Sequence, residues 1–561
     1  MRILILGGYG TFGGRLARLL AGEAGLNLLI AGRSAAKAEA FGRKLQEGAH
    51  SQALSFDRDG DVGAQLAAIR PDLLVDASGP FQTYGADPYR VVRACIAARS
   101  HYMDLADSPD FVQGIACFDA DARAAGVYVL SGVSSFPVLT AAVVRRLSRD
   151  MVRVDHIRAG IAPSPYAGVG LNVIRAIAGY AGKPVVLRRH GRSSHGNALT
   201  ETMRYTIRPP GHLPLNNIRY SLVDVPDLRL LPELWPELDS IWIGAGPVPE
   251  ILHRMLNSLA WLVRLRLLPS LSPFARLFHF VIGKLSRGEH RGGMFVEVRG
   301  RDSDGQDIER SWHLLAEGDD GPFIPSMAVE AIVRRVLAGA SPRPGARAAV
   351  KELELEHYEA LFRNRAIHTG VRETSGSNRR GSLYQTILGS AWMLLPENLR
   401  AIHAWDDGLK VAGRADVERG GHWLARCVAM LFGFPNQGKD VPVRVQFTRT
   451  AEGETWRRTF AGKSFSSHQS EGRGRWQGLV CERFGPFAMA LALIVRNEKL
   501  FLVVRRWSLF GLPLPAFCAP GGTTYEFEED GRFHFHVEIS HPWIGLLVRY
   551  RGWLVAEAAG A

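Results

Sequence analysis

Residues 1–20, MRILILGGYGTFGGRLARLL, decide the fold of the first part of this chain. Ile3 to Leu6 make an unbroken apolar run of strand type. Gly8, Gly10 and Gly13 follow at G-x-G-x-x-G spacing, and Leu16, Leu19 and Leu20 then recur at helical spacing. In such a turn the first glycine allows a tight bend, the second lets backbone approach a pyrophosphate, and the third lets the helix pack closely on the strand. The unpaired N–H groups of the helix N-terminus face the anion. With the strand before and the helix after it both present, Gly7, Gly8, Gly10, Thr11, Phe12 and Gly13 are expected to hold a dinucleotide.

The next apolar run, LNLLIAGRS (26–34), distinguishes two nicotinamide cofactors. An NAD site expects an acidic residue there to bind the ribose hydroxyls. This chain has Gly32, Arg33 and Ser34, with Lys37 close by, and a guanidinium forks onto a 2′-phosphate. NADP is therefore the expected cofactor. Further strands follow in QALSFD (52–57), PDLLVDASGPF (71–81), HYMDLAD (101–107) and GVYVLSGVS (126–134), with helical patterns between them such as YRVVRACIAA (89–98). Strands alternating with helices imply a doubly wound parallel α/β sheet whose ligands gather at the carboxyl ends of the strands. Those ends supply Asp57, Ser78, Gly79, Pro80, Tyr84, Asp104, Asp107 and Ser134.

GGYGTFGG (7–14), AGR (31–33), ASGPFQTYG (77–85), ACIAARSHYMDLAD (94–107) and GVYVLSGVSSFP (126–137) together resemble the saccharopine dehydrogenase-like family, in the order that family shows them. The similarity continues more loosely through GPFIPSMAVEAIVRRVLAG (321–339) and SPRPGA (341–346). The resemblance implies a Rossmann domain at 1–140. It also implies an inserted α/β domain for substrate or dimerisation at 141–370, whose final helix returns to the Rossmann part.

A polar stretch then makes a linker at 371–382. Beyond it, helical patterns give way to alternating runs such as VPVRVQFTR (441–449), and Asp530-Gly531 marks a hairpin turn. Residues 383–561 read as an α+β domain rich in antiparallel strands. LYQTILG (383–389), ETWRRTFAGKSFSS (454–467), ERFGPF (482–487) and GLPLP (511–515) resemble a bacterial domain of unknown function, the DUF4166 family. Phe533, Phe535 and Val537 share one face of the last hairpin, which suits a sheet curved around an apolar ligand as well as a purely structural one. His534, His536 and Glu538 share the other face, and with no second ligand cluster in the sequence no metal site is expected.

The 561 residues, 46% hydrophobic and 22% charged, describe a globular chain of two or three domains. Cys95, Cys117, Cys427, Cys481 and Cys518 are scattered without ligand spacing and read as buried thiols in a reducing compartment. Met1 leads directly into the first strand with no signal peptide, which favours the cytoplasm. The net charge of +13 comes with no nucleic-acid-binding module. Residues 251–288 hold six Lys or Arg, no Asp or Glu, and a dense set of Leu, Phe, Trp and Ile, broken by Pro269 and Pro273. They are too interrupted to span a bilayer. Two readings suit them: a peripheral membrane contact at the inner face of the membrane, or helices of a core or homodimer interface.

No lysine has a tyrosine four residues before it, which excludes the Tyr-x-x-x-Lys proton donor of short-chain dehydrogenases. Tyr84 and Asp104 are the candidate catalytic residues. The function expected is NADP-dependent oxidation or reduction of a small carbonyl or imine substrate, with a lipid-like molecule among the candidates; the alternative is a non-catalytic NADP-binding sensor or scaffold with a C-terminal ligand-binding domain.

Overall fold

A computed structural model describes residues 1–45, 50–284, 288–375 and 381–557. The chain divides into two compact units. The first comprises Met1–Arg204 and Ile218–His368, the second Tyr205–Asn217 and Thr369–Ala561.

The first unit holds one seven-stranded sheet whole and the greater part of a second. One contains β1 (Arg2–Leu6), β2 (Asn27–Gly32), β3 (Ser51–Ser55), β4 (Leu73–Asp76), β5 (His101–Asp104) and β6 (Tyr128–Ser131) in the order β6-β5-β4-β1-β2-β3. All neighbours in it pair in parallel, as the doubly wound reading requires. Ile3, Leu4, Ile5 and Leu6 are at most 3% exposed, because helices cover both faces of the sheet. A strand that sequence reading missed, Gly345–Ala348, adds to the free edge of β6 in parallel. It follows helix Ile324–Leu337, which returns from the inserted domain and packs on α1 (Thr11–Leu20).

The inserted domain is built on a mixed sheet. In it strand Met151–Ala162 lies between Ser240–Ala245, its parallel neighbour, and Arg291–Asp302, its antiparallel one. The edge strand Ile367–Ser375 takes up residues 371–375 of the expected linker, and residues 376–380 lie outside the described residues.

The second unit is an antiparallel up-and-down barrel. Ten strands pair in sequence, and the ring closes where the first, Gly408–Arg419, pairs with the last, Gly545–Ala556. Val443, Val445 and Phe447 point inward and are buried, while Arg444, Gln446 and Thr448 between them are exposed. This inside-apolar pattern is the reverse of a membrane-spanning barrel's. Asp530 and Gly531 both take positive φ, as the tight hairpin turn demands. His534 and His536 lie against Phe527 and Tyr525 across that hairpin.

Among the described residues no group of His, Cys, Asp and Glu is arranged to hold a metal, and no helix is long and apolar enough to cross a membrane. The five cysteines are free; Cys95 and Cys481 are buried as expected, whereas Cys117 and Cys427 are exposed and Cys518 is half-buried.

Candidate active site

The glycines of the first turn stand where side chains would meet neighbouring backbone. Gly7 takes φ +77°, and a Cβ there would lie 2.9 Å from Ser78 Cα. A Cβ on Gly13 would stand 2.3 Å from the Gly7 carbonyl oxygen, so only glycine lets α1 start this close to β1. At Gly10 a Cβ would meet only Gly7, its oxygen at 3.0 Å, and would otherwise project into open space. Gly10 is also the N-cap of α1 and brings no side chain to its N–H groups. The first turn of the helix therefore presents uncapped donors, which is what a bound diphosphate needs.

At the end of β2, Arg33 is exposed and has no ion-pair or hydrogen-bond partner among the described residues. Ser34 caps helix α2 (Ala35–Gly42) by accepting the Lys37 N–H at 3.4 Å. Tyr9, from inside the glycine turn, accepts the Ser34 N–H at 3.2 Å and lies over Gly32, where a Cβ would meet its ring at 2.6 Å. Sequence reading passed over Tyr9. Asp57, after β3, is exposed and accepts the Asp59 N–H.

At the end of β4 the buried Asp76 accepts hydrogen bonds from the Ser78 N–H and Oγ, and from the Tyr84 hydroxyl at 3.2 Å. Burial raises the Asp76 pKa against these bonds and the nearby Arg58. The Arg58 guanidinium lies 3.2 Å from the Tyr84 ring centroid. Burial and the Asp76 charge hold the Tyr84 phenol well above its ordinary value, so Tyr84 is a protonated donor committed to its own domain. Gly79 and Pro80 complete this loop, and Asn172 Nδ2 donates to the Gly79 carbonyl at 2.9 Å.

Asp104, at the end of β5, is fully buried. Its Oδ1 accepts from the Ala106 N–H, the Gly132 N–H and the Ser131 hydroxyl, and so ties β5 to β6; Oδ2 has no partner. Burial pushes its pKa up to about 7.

A second group of acids gathers where the inserted domain meets the β5 loop. Asp107 accepts from Gln82 Nε2 at 2.9 Å, and burial raises its pKa. Asp224, just past strand Leu215–Leu222, is pushed up to about 6 by burial, with Arg229 opposing and Asp110 and Asp107 adding to the rise. The Tyr180 phenol, at the end of helix Leu171–Tyr180, is raised by burial and by both Asp107 and Asp224. Asp224 and Tyr180 were not among the residues singled out in the sequence. Yet SLVD (221–224) closes an apolar strand on a carboxylate, just as LLVD (73–76) and YMD (102–104) do.

The basic apolar segment folds as helices Glu250–Arg264 and Ala275–Lys284, with residues 285–287 outside the described ones. The first helix packs Leu256, Leu259, Ala260 and Val263 on the core and exposes Arg254, Ser258 and Arg264, but it also buries two polar residues and leaves apolar ones exposed. It buries His253, Asn257, Ala260 and Val263, with His253 2.7 Å from Ser221 Oγ and Asn257 donating to the Leu199 carbonyl. Ile251, Met255, Trp261, Leu277 and Phe280 remain 42–67% exposed across the two helices.

Residues 3–130 match the family model described as the saccharopine dehydrogenase NADP-binding domain. Residues 395–554 match the model of a domain of unknown function, DUF4166. No curated protein matches the chain. Among solved structures it is similar to apo, histidine-tagged saccharopine dehydrogenase (L-Glu forming) from Saccharomyces cerevisiae, at 14% identity and TM-score 0.46, covering 66% of this chain and 99% of that one. It is also similar to a mutant meso-dapdh from Clostridium tetani, at 15% identity and TM-score 0.32, over 64% of this chain and 95% of that one. A third is the WlbA dehydrogenase from Thermus thermophilus in complex with NAD and alpha-ketoglutarate, at 14% identity and TM-score 0.29, over 61% and 90%. The chain thus carries a pyridine-nucleotide-binding domain of the saccharopine dehydrogenase type at residues 3–130 and a DUF4166 domain at residues 395–554.

Proposed function

We propose that the protein is an NADPH-dependent oxidoreductase that reduces the C=O or C=N bond of an apolar substrate. The observation that carries this reading is the pairing of two features in one unit: an uncapped glycine turn at the end of β1, and carboxyls of raised pKa beyond β5. In a doubly wound sheet the adenosine half of a dinucleotide lies over β1–β3 and the nicotinamide half over the strands beyond the switch point. Arg33 then supplies the 2′-phosphate contact, and Asn172 holds the Ser78–Gly79 loop. The reduced nicotinamide supplies the hydride. Asp224, near half-protonation at pH 6, supplies the proton, with Tyr180 and Asp107 as its neighbours.

This shifts the proton step from Tyr84, whose hydroxyl bonds Asp76 within the Rossmann domain, and from Asp104, which is fully buried at the β5–β6 junction. The same commitment favours a second reading, in which the cofactor is bound but not turned over. The test is NADPH titration of the purified chain, followed by a panel of ketones and imines scored for loss of nicotinamide absorbance. Binding without turnover across the panel selects the second reading.

We further propose that helices Glu250–Arg264 and Ala275–Lys284 rest on an anionic membrane surface, on the cytoplasmic side. The exposed apolar side chains and the unopposed Arg266 and Arg276 support this. A homodimer through the same face is the competing outcome, read from the oligomeric state in solution.

A further inference from the structure

In an up-and-down barrel the connections sort to two ends. Connections 450–453, 471–480, 496–499 and 529–532 share one end, where helix Glu397–His403 is held by Asn398 bonding Glu528 and Gly531. From there the Tyr384 hydroxyl donates to Gln469, and His403 Nε2 lies 2.6 Å from Glu526. This end is closed by buried side chains.

The opposite end holds connections 420–437, 460–463, 484–487, 509–524 and 541–545. Trp423, Leu431, Phe510, Leu512, Phe517 and Trp543 stand on these connections, and each is 66–80% exposed. Phe517 and Trp543 meet across separate connections, their rings 6.3 Å apart, and the half-buried Phe432 and Phe487 do the same at 5.1 Å, so apolar side chains rim this end. Exposed apolar side chains concentrated in this way mark a contact surface rather than ordinary scatter.

Between the two ends lies a cavity of about 130 Å³, walled by Val445, Phe447, Leu491, Phe535 and Tyr550 among others and reaching the rim at Pro520–Gly522. Gly522, at φ +128°, lets that loop lie against the Glu538 carbonyl oxygen, which a Cβ would approach to 2.1 Å. The charged groups of the wall are already matched. Arg458 bonds Ser467 and Glu482, Glu482 also accepts from Ser467 and Gln469, and Glu526 faces His403. Glu538, the remaining charged residue of the wall, accepts from Arg549. An anionic head group entering here would meet carboxylates and no unpaired cation, whereas an uncharged chain meets apolar walls.

We propose that the barrel binds the apolar chain of an uncharged lipid, which it takes from a membrane through the rimmed end. This does not rest on the reductase reading, and its test uses no nicotinamide. The full-length chain is loaded with the uncharged dye Nile red and titrated with 1-decanol or decanoate. Decanol displaces the dye, and decanoate does so at least roughly tenfold more weakly. Val445→Trp, which fills the cavity, abolishes dye binding at an unchanged melting temperature, while the outward-facing Gln446→Trp leaves it intact. Should Val445→Trp not fold, the milder Leu491→Phe is read instead. On uncharged phosphatidylcholine vesicles, the exposed-site variant Phe510→Ser/Phe517→Ser/Trp543→Ser sediments several-fold less than its parent. Failure of decanol to displace the dye overturns the site, and equal displacement by decanoate overturns the uncharged ligand. Equal sedimentation of parent and rim variant overturns the membrane route.

Discussion

Asp104 joins two strand ends through one oxygen while the other stays buried without a partner, and that asymmetry has a pH signature. Its pKa rises from an ordinary 3.8 to about 7 on folding, so the folded chain holds this proton more tightly than the unfolded one. The stabilisation is fully present below about pH 4 and is lost as pH rises through 7. Asp104→Asn should flatten that decline in thermal melts between pH 4 and 7 and leave NADPH binding intact. For Asp224 the readout is kinetic. As proton donor it must be protonated, so turnover should fall as pH rises past about 6. Asp224→Asn should cost roughly 100-fold or more in kcat and remove that limb, whereas Tyr84→Phe should leave the limb in place. Arg33→Asp should turn preference from NADPH towards NADH by roughly 10- to 100-fold, because a charge-assisted contact is worth about 1.5–3 kcal/mol. Arg33 was legible because the strand before it and its place in the motif are local features. Tyr180 and the neighbourhood of Asp224 were not, since only the tertiary fold brings residues 107, 180 and 224 together.

Among the elements, the turn between β1 and α1 is the most legible, its glycine spacing being a local steric requirement. Two substitutions should separate its two roles. Gly13→Ala forces a Cβ to 2.3 Å from backbone and should destabilise the unit, visible as a lower melting temperature. Gly10→Val projects mainly into the space where the diphosphate is expected, and should spare folding while abolishing NADPH binding. The four-residue strand Gly345–Ala348, reading GARA, carries no β-branched or alternating pattern, and only the free edge of β6 makes it a strand. Helix Glu250–Arg264 shows the opposite difficulty, because its apolar residues announce a face without saying which way that face points. The buried stripe proves to be the His253–Asn257 side, while Phe278 is half-buried against the core and Leu277 and Phe280 are exposed. Leu277→Ser with Phe280→Ser should therefore reduce binding to anionic vesicles without lowering the melting temperature. Phe278→Ser should lower stability by about 1 kcal/mol, roughly half the value for a fully buried side chain.

On the scale of the whole chain, the change of character near residue 375 is visible in composition, but the full division is not. Residues 205–217 belong to the second unit, and Leu213 packs beside Leu479 and Ala492. Nothing local in PPGHLPL (209–215) predicts that association. The barrel's strands were likewise legible by alternation, whereas its closure depends on pairing Gly408–Arg419 with Gly545–Ala556, far apart in sequence. A chain ending at residue 373 should thus be poorly soluble, and replacing 206–216 by a short turn in that fragment should restore a monomeric, NADPH-binding protein. The chemistry proposed for the first unit requires the N-terminal turn to hold a phosphorylated nicotinamide cofactor. Fluorescence titration of the full-length parent and Gly10→Val with NADPH and NADH tests it most directly. Saturable binding of NADPH, tighter than NADH, is expected in the parent, and none in the folded variant; if parent and variant titrate alike with NADPH, the turn does not hold the cofactor.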